Sequence, residues 1–286
     1  MKDIKVGFNL LVWSAIISEK LLPMAERLKK IGYDGVETSM GEQSAEPYKR
    51  FGAQARDLGL EVNCCLAVGG DENPISESAA VRQKGLDRIK WAVDRADDMG
   101  GTIVCGPFHS GFATFSRKEP QEQEYEWSAE VLRQAGDYAA QAGVLLALES
   151  LNRFECYLCN TTEQLAGLIK RVNHPAVVAM YDTHHAHIEE KNVRTSINAV
   201  APVLKHVHIS ENDRGTPGDG NVRWEETFEV LAENKYKGWM TIEAFTRNDP
   251  DFANAINVWR EYSSPWDIAE NGYRFIKDMC QKYNLK

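Results

Sequence analysis

The sequence lacks the features that would place the protein in a membrane or on nucleic acid. Its 286 residues contain no apolar run near the roughly 20 residues of a membrane span. The first residues lead into one short apolar run without a small-residue cleavage site, so no signal peptide is expected. The net charge is −9, and no Lys/Arg cluster suggests a basic groove. We therefore expect a cytoplasmic protein with neither a membrane nor a nucleic acid as its partner.

The usual cysteine motifs of zinc and redox sites are also missing. The six cysteines include one CxxC, formed by Cys156 and Cys159, but no second pair accompanies it. A zinc or redox interpretation needs that second pair or a helix N-terminus at the motif. Several cysteines lie instead inside apolar runs, which is typical of reduced, buried thiols. The cysteines are therefore predicted to be structural.

What the chain does contain is a regular alternation of short apolar runs and amphipathic stretches. The runs are nearly continuous in apolar residues, as expected of parallel strands buried on both faces. A doubly wound sheet would need a Gly-rich phosphate loop after the first strand, and Asn9–Ser14 does not resemble one. The alternation predicts the α/β class and a single (β/α)8 barrel over residues 1–286. The predicted strands are Val6–Val12, Gly35–Thr38, Val62–Val68, Thr102–Gly106, Val144–Leu148, Val177–Tyr181, Leu204–Ile209 and Trp239–Ile242.

Four polar residues interrupt the later apolar runs at equivalent points. Glu149, Asp182, His208 and Glu243 are 33, 26 and 35 residues apart, about one strand–helix unit each. In a barrel, all four lie at the carboxyl rim, where such enzymes keep their active sites. Taken singly, each carboxylate could be a helix N-cap and the histidine a core residue. Together, three carboxylates facing one axis would repel one another unless a cation lies among them.

This ligand set of three carboxylates and one imidazole predicts a divalent metal ion. The set suits Mn²⁺, which is our first expectation, or Co²⁺ or Mg²⁺, whereas Zn²⁺ is less strongly indicated because no thiolate is involved. His185 and Arg214 follow the ligand positions and are expected on loops at the same rim, and an arginine suits the clamping of oxygen atoms. A surface charge remains the alternative for Arg214. Glu37 is expected to face the pocket without being a ligand, and His206 to be a structural residue one layer deeper.

The residues around these positions resemble a known family, the ketose 3-epimerases that act on D-tagatose, D-allulose or L-ribulose. Leu148–Glu155 is similar to the L-E-x-x-N-R-F-E signature of that family, and Asp182–Glu190 to D-T-x-H-x-x-I-E-E. His208–Arg214 with Pro217–Gly220 matches H-x-x-E-x-x-R-x-x-P-G-x-G. Ile242–Phe245 is similar to M-E-P-F. The motifs occur in the same order, and the resemblance spans essentially the whole chain.

The resemblance implies a xylose isomerase-like barrel that moves a proton at C3 of a sugar. It implies Glu149, Asp182, His208 and Glu243 as metal ligands, with Glu149 and Glu243 also the acid/base pair. Glu155, His185 and Arg214 would bind the O1–O3 end of a small-molecule sugar. A homodimer or homotetramer is also implied. The chain departs from the family at four places: Asn9 replaces a frequent Tyr, Phe112 stands in a loop that often carries Trp, Ala244 replaces a frequent Pro and His184 a frequent Phe.

Other reactions on the same metal site stay open. An aldose–ketose isomerase would move the proton between C1 and C2, and an epimerase or lyase would act on a 3-keto sugar or glycoside. A phosphodiester nuclease would need more metal ligands and a basic groove, which the charge of −9 disfavours. A non-catalytic sugar-binding barrel would have no reason to keep both glutamates and the arginine.

Overall fold

The structure, a computed structural model, describes residues 3–41 and 44–286. Its eight parallel strands close into a barrel in which each strand pairs with the next along the chain and β8 pairs with β1. The predicted fold class is therefore confirmed. The prediction of no signal peptide rests partly on Met1 and Lys2, which lie outside the described residues. The strands are β1 Ile4–Asn9, β2 Gly35–Ser39, β3 Glu61–Cys65, β4 Ile103–Gly106, β5 Leu145–Leu148, β6 Val177–Asp182, β7 Leu204–Ile209 and β8 Gly238–Ile242.

Two of the predicted strands were too long at their carboxyl ends. β1 ends at Asn9, because the Asn9 side chain accepts a hydrogen bond from the Leu11 amide and starts a single 3-10 turn over Leu10–Val12. β3 ends at Cys65, although the apolar run continues to Val68. Leu10–Val12 is buried all the same, as are Leu66 and Val68, which explains why composition alone did not reveal where the two strands end.

Helices cover the outside of the barrel and alternate with the strands. Pro23 lies in the first turn of α1, where its missing amide hydrogen costs nothing. Thr161 and Gln164 form a capping box at the start of α5. None of the helices in the described ranges combines the length and apolar character of a membrane span. The helices are α1 Leu22–Ile31, α2 Ala45–Asp57, α3 Ala79–Met99, α4 Glu122–Gln141, α5 Thr162–Val172, α6 Thr183–Glu189, α7 Val193–Val200, α8 Trp224–Glu233, α9 Pro250–Ala255 and α10 Pro265–Tyr283.

Two apolar layers hold the barrel and leave its upper interior polar. The larger core lies between the strands and the outer helices, and includes Phe8, Leu132 and Phe228. A smaller cluster, which includes Met180 and Trp239, fills the lower interior of the barrel. Strand register then places side chains of neighbouring strands at equal heights. Asp182 pairs with His208, so the end of the barrel carries polar groups above an apolar floor.

Candidate metal centre and active site

The four predicted ligands come together at the carboxyl end of the barrel. Glu149 directly follows β5, Asp182 ends β6, His208 lies in β7 and Glu243 directly follows β8. All four side chains are buried, and one potential ligand atom from each lies within 4.8 Å of the others. Asp182 also accepts hydrogen bonds from the first amides of α6, so the N-cap interpretation is correct for it as well. An N-cap and a metal ligand are compatible because the two oxygens of a carboxylate offer several lone pairs.

The polar atoms in this cluster have too few partners of their own. His208 Nδ1 and Glu149 Oε1 are buried without a hydrogen-bond partner. The nearest approaches of His208 Nδ1 are 3.5 Å to Asp182 and to Glu243, and 3.9 Å to Glu149. Buried polar atoms without partners are costly, and a cation among them would satisfy both. The donor set therefore fits a divalent metal ion.

The pKa shifts within this cluster are those expected of a site that binds a cation. Burial raises the pKa of Glu149 well above its usual value, and the charges of Asp182 and Glu243 raise it further, against the opposing effect of His208. For His208 burial works the other way, but Glu243 and Glu37 outweigh it and raise the pKa of the imidazole. Glu149, buried beside other carboxylates, therefore holds its proton more tightly, and a metal ion would displace that proton.

Arg214 lies against the same carboxylates, as its place in the sequence suggested. Its Nη1 donates to Glu243 Oε2 at 2.8 Å, to Asp182 Oδ2 at 3.1 Å and to the Ser210 hydroxyl at 2.6 Å. The guanidinium also lies 4.8 Å from the ring centre of Phe245, within range of a cation–π contact. Arg214 itself has a φ of +64°, an unusual conformation for a residue other than glycine. This fixed, buried arginine is not the surface charge that was the alternative.

His185 offers a second hydrogen-bond donor beside Arg214. It lies in α6 rather than in the predicted loop, and it is buried. The Asn152 amide donates to His185 Nδ1 at 3.1 Å, so the neutral ring carries its hydrogen on Nε2. Burial lowers the pKa of His185 well below its usual value, which keeps the ring neutral. Nε2 lies 3.0 Å from Arg214 Nη2, so the two nitrogens are neighbours at the edge of the ligand cluster.

A cavity of about 420 Å³ opens above these groups. Glu155 lies on its wall with about a third of its side chain exposed, 3.9 Å from His185 Nε2. One side of the cavity therefore carries charged and hydrogen-bonding groups, and the other side is largely apolar. The apolar side includes Leu11, Phe112, Phe245, Phe252, Ile256 and Val258.

Glu37 is the residue whose place the sequence predicted least well. It was expected to face the pocket, but it is fully buried and turned toward β7. Its Oε1 lies 2.8 Å from His208 Nε2, and its Oε2 lies 2.9 Å from His206 Nε2. Burial raises the pKa of Glu37, but His208 and His206 outweigh this and hold it well below its usual value. A single Glu within β2 gave no sign of partners on β7, because side chains of these two strands meet only across the barrel interior.

The predictions for His206 and for the two CxxC cysteines can also be compared with the structure. His206 is fully buried beneath His208, as the strand alternation predicted. His184 lies on the cavity wall with its Nδ1 3.1 Å from the Glu211 carbonyl, whereas His187 lines a separate small cavity. Cys156 and Cys159 are buried free thiols, which agrees with the structural interpretation.

Comparison with known proteins supports the resemblance that the sequence motifs indicated. A family model described as a xylose isomerase-like TIM barrel matches residues 25–278. The chain is 28% identical to the D-psicose 3-epimerase of Agrobacterium fabrum over 270 residues, covering 93% of each protein. It is also 28% identical over 244 residues to the 3-dehydro-D-guloside 4-epimerase of Escherichia coli, covering 82% of this chain and 92% of that protein.

Among solved structures, the chain is similar to D-allulose 3-epimerase from Methylomonas sp. in complex with D-allulose. The TM-score is 0.90 at 27% sequence identity, and the match covers 98% of both chains. The resemblance to the ketose 3-epimerases, carbohydrate epimerases of the isomerase class, is thereby confirmed over the length of the chain. The protein belongs to the xylose isomerase-like TIM barrel family.

Proposed function

We propose that this protein is an isomerase that inverts C3 of a free ketose through a cis-enediolate. The observation that carries the proposal is the buried group of Glu149, Asp182, His208 and Glu243, whose ligand atoms lie within 4.8 Å of one another at the barrel mouth. The ketose 3-epimerases named among the relatives support the choice of reaction. The same proposal includes a single domain over residues 1–286 and a cytoplasmic homodimer or homotetramer.

In this proposal the four residues hold a divalent ion, with Mn²⁺ as the first expectation and Co²⁺ or Mg²⁺ as alternatives. Carboxylate oxygens and one imidazole nitrogen suit these ions. A bound divalent ion supplies charge stabilisation to oxygen atoms that become negative during the reaction. Asp182 and His208 act only as ligands, whereas Glu149 and Glu243 also transfer protons.

The two glutamates carry the chemistry at C3. One removes the C3 proton, and the electron pair it leaves forms the cis-enediolate with the C2 carbonyl. The other then donates a proton to the opposite face of C3. Two carboxylates are required because a single base would return the proton to the face from which it came. Positioned proton transfer of this kind contributes roughly 10²–10⁴-fold to a rate.

The remaining polar groups hold the sugar. In this proposal His185 and Arg214, whose Nε2 and Nη2 are neighbours at 3.0 Å, bind oxygen atoms at the O1–O3 end, and Glu155 binds a hydroxyl group. Arg214 is the one Arg or Lys among the described residues that line the cavity. A phosphate group at the far end of the sugar would therefore lack a cationic partner, so we propose an unphosphorylated ketose.

A second candidate reaction is epimerisation of a 3-keto sugar or glycoside. The similarity to a 3-dehydro-D-guloside 4-epimerase favours it, and the apolar side of the cavity would suit the non-sugar part of a glycoside. It uses the same proton transfer next to a carbonyl, with the carbonyl moved from C2 to C3.

Nuclear magnetic resonance of substrates incubated in D₂O with Mn²⁺ separates these reactions. We expect deuterium at C3 of a ketohexose together with its C3 epimer. Deuterium at C1 would identify an aldose–ketose isomerase instead. Turnover of 3-keto glycosides without turnover of any free ketose would establish the second candidate. Absence of exchange in all of these substrates would contradict the proposed chemistry.

A further inference from the structure

A second layer of polar residues lies beneath the four proposed ligands. Glu37, at the centre of this layer, is fully buried in β2. Its Oε1 accepts a hydrogen bond from Asn9 Nδ2 at 2.9 Å and lies 2.8 Å from His208 Nε2. Its Oε2 lies 3.2 Å from Cys105 Sγ and 2.9 Å from His206 Nε2. Both oxygens are therefore held, and the carboxylate connects β1, β4 and β7 through the barrel interior.

The contact with His208 determines which ring nitrogen faces the proposed metal. A carboxylate at 2.8 Å only accepts, so His208 Nε2 must carry a hydrogen and donate it to Glu37. Nδ1 then points to the other side, 3.5 Å from both Asp182 and Glu243 and without a hydrogen-bond partner. A flipped ring would lose the bond to Glu37. The lone pair that Nδ1 has in the neutral ring is thus directed into the ligand group.

A purely structural role explains this arrangement poorly. A buried carboxylate is costly to keep charged, and the ion-pair partners of Glu37 among the described residues are His206 and His208 rather than a Lys or Arg. Glu37 also adds a fourth carboxylate close to a group that already has three. Negative charge at this place lowers the energy of a cation bound above it. Carboxylates behind metal-bound histidines orient the ring and make it a stronger ligand.

We propose that Glu37 is a positioning residue that orients His208 and strengthens its binding to the divalent ion. This inference rests on the proposed function, because it assumes that His208 is a metal ligand. Glu37 does not touch the sugar in this proposal, since it lies behind the histidine and does not line the cavity. Its effect on the reaction passes through the affinity for the metal.

The test compares Glu37→Gln with the unmodified protein by Mn²⁺ titration, with free Mn²⁺ measured by electron paramagnetic resonance. The amide keeps the shape of the side chain but removes its charge. We expect the dissociation constant for Mn²⁺ to rise about 10- to 100-fold, the usual effect of losing such a partner. We also expect saturating Mn²⁺ to recover most of the lost activity. The midpoint of thermal unfolding of the metal-free variant is measured alongside, because a structural role alone would change it without changing the relative affinity for Mn²⁺.

Cys105→Ala is the matched control, because this uncharged thiol contacts Glu37 Oε2 at 3.2 Å and lies 3.9 Å from His208 Nε2. It perturbs the buried layer but leaves the bond between Glu37 and His208, so no resolvable change in Mn²⁺ affinity is expected. Equal Mn²⁺ affinity in Glu37→Gln and the unmodified protein would overturn the role of Glu37 and leave the proposed function standing. Equal weakening in both variants would also overturn it, since a general disturbance would then be the cause. An unmodified protein that binds no divalent ion would overturn both proposals.

Discussion

The two halves of the barrel contribute differently to the site. The half formed by β5–β8 supplies the four proposed ligands, together with Arg214 and His185. The half formed by β1–β4 supplies a cavity wall whose members are mostly apolar or neutral, such as Leu11, Ser39 and Phe112. Its one carboxylate among the contacts described here, Glu37, is buried behind the ligands rather than in the cavity. The fold repeats one strand–helix unit around the barrel, but the proposed metal ligands come from only one half of it.

Because the charged groups are concentrated in one half, substitutions in the two halves should change different properties of the protein. Charged groups in the second half interact with one another over 2.8–3.9 Å, so altering one alters the pKa values of the others. The first half meets the sugar through shape and a few neutral groups, where changes act one at a time. We therefore expect variants of the second half to affect the rate of proton transfer and variants of the first half to affect affinity or stability.

The sharpest test of the comparison is Glu149→Gln in the second half. The amide cannot take up a proton, so exchange of the C3 hydrogen with solvent should fall by about 10²–10⁴-fold while part of the metal binding remains. Deuterium incorporation at C3, followed by nuclear magnetic resonance, measures the effect. Glu155→Gln makes the same chemical change six residues away and should mainly raise KM. Exchange at the wild-type rate in Glu149→Gln would remove the proton-transfer role from this residue.

A smaller effect is expected for Arg214→Lys. The Arg214 side chain donates to Asp182, Glu243 and Ser210 through one nitrogen and reaches His185 with the other. Lysine offers a single point charge and cannot reproduce this fork. Hydrogen bonds to charged groups contribute roughly 1.5–3 kcal/mol each, so kcat/KM should fall about 10- to 100-fold. Steady-state kinetics measure it, and an unchanged kcat/KM would make Arg214 dispensable for the substrate.

Removal of the metal ion should destabilise the β5–β8 half of the barrel more than the β1–β4 half. At a concentration about 100 times its dissociation constant, a bound ion stabilises the folded state by about 2.7 kcal/mol. Chelation should therefore lower the unfolding midpoint. Amide hydrogen exchange should become faster at the carboxyl ends of β5–β8, with little change in α2 and α3. A uniform increase over both halves would show that the ion supports the whole barrel rather than the half that supplies its ligands.

The difference between the two halves also explains which residues of the site could be predicted from the sequence. The four ligands each follow an apolar run and recur at about one strand–helix unit, so the barrel geometry implied by those runs was sufficient to bring them together. Arg214 and His185 could be assigned to the rim by their distance along the chain from Asp182 and His208. Their hydrogen bonds could not be predicted, because those depend on the unusual backbone of Arg214 and on the Asn152 amide.

The first half was harder to predict because its polar residues act across the barrel rather than along the chain. Glu37 and His208 are 171 positions apart, and their contact depends on the height that each strand reaches in the closed barrel. The turn at Leu10–Val12 was missed because one hydrogen bond from the Asn9 side chain ends a strand inside an otherwise continuous apolar run. Neither the contact between Glu37 and His208 nor the hydrogen bond from the Leu11 amide to Asn9 produces a periodic pattern in the sequence.

The smallest effect is expected for Asn9→Ala, at the point where the first half comes closest to the proposed acid/base pair. Asn9 Nδ2 lies 3.4 Å from Glu243 and 2.9 Å from Glu37, and its oxygen caps the turn that follows β1. Loss of a cap costs about 1 kcal/mol of stability. Because the longer contact is weak and Arg214 also holds Glu243, exchange at C3 should remain within about tenfold of wild type. Denaturant unfolding and the D₂O assay measure the two effects separately. A loss of exchange as large as that in Glu149→Gln would mean that Asn9 aligns Glu243 for proton transfer, and the chemistry would then extend into the first half of the barrel.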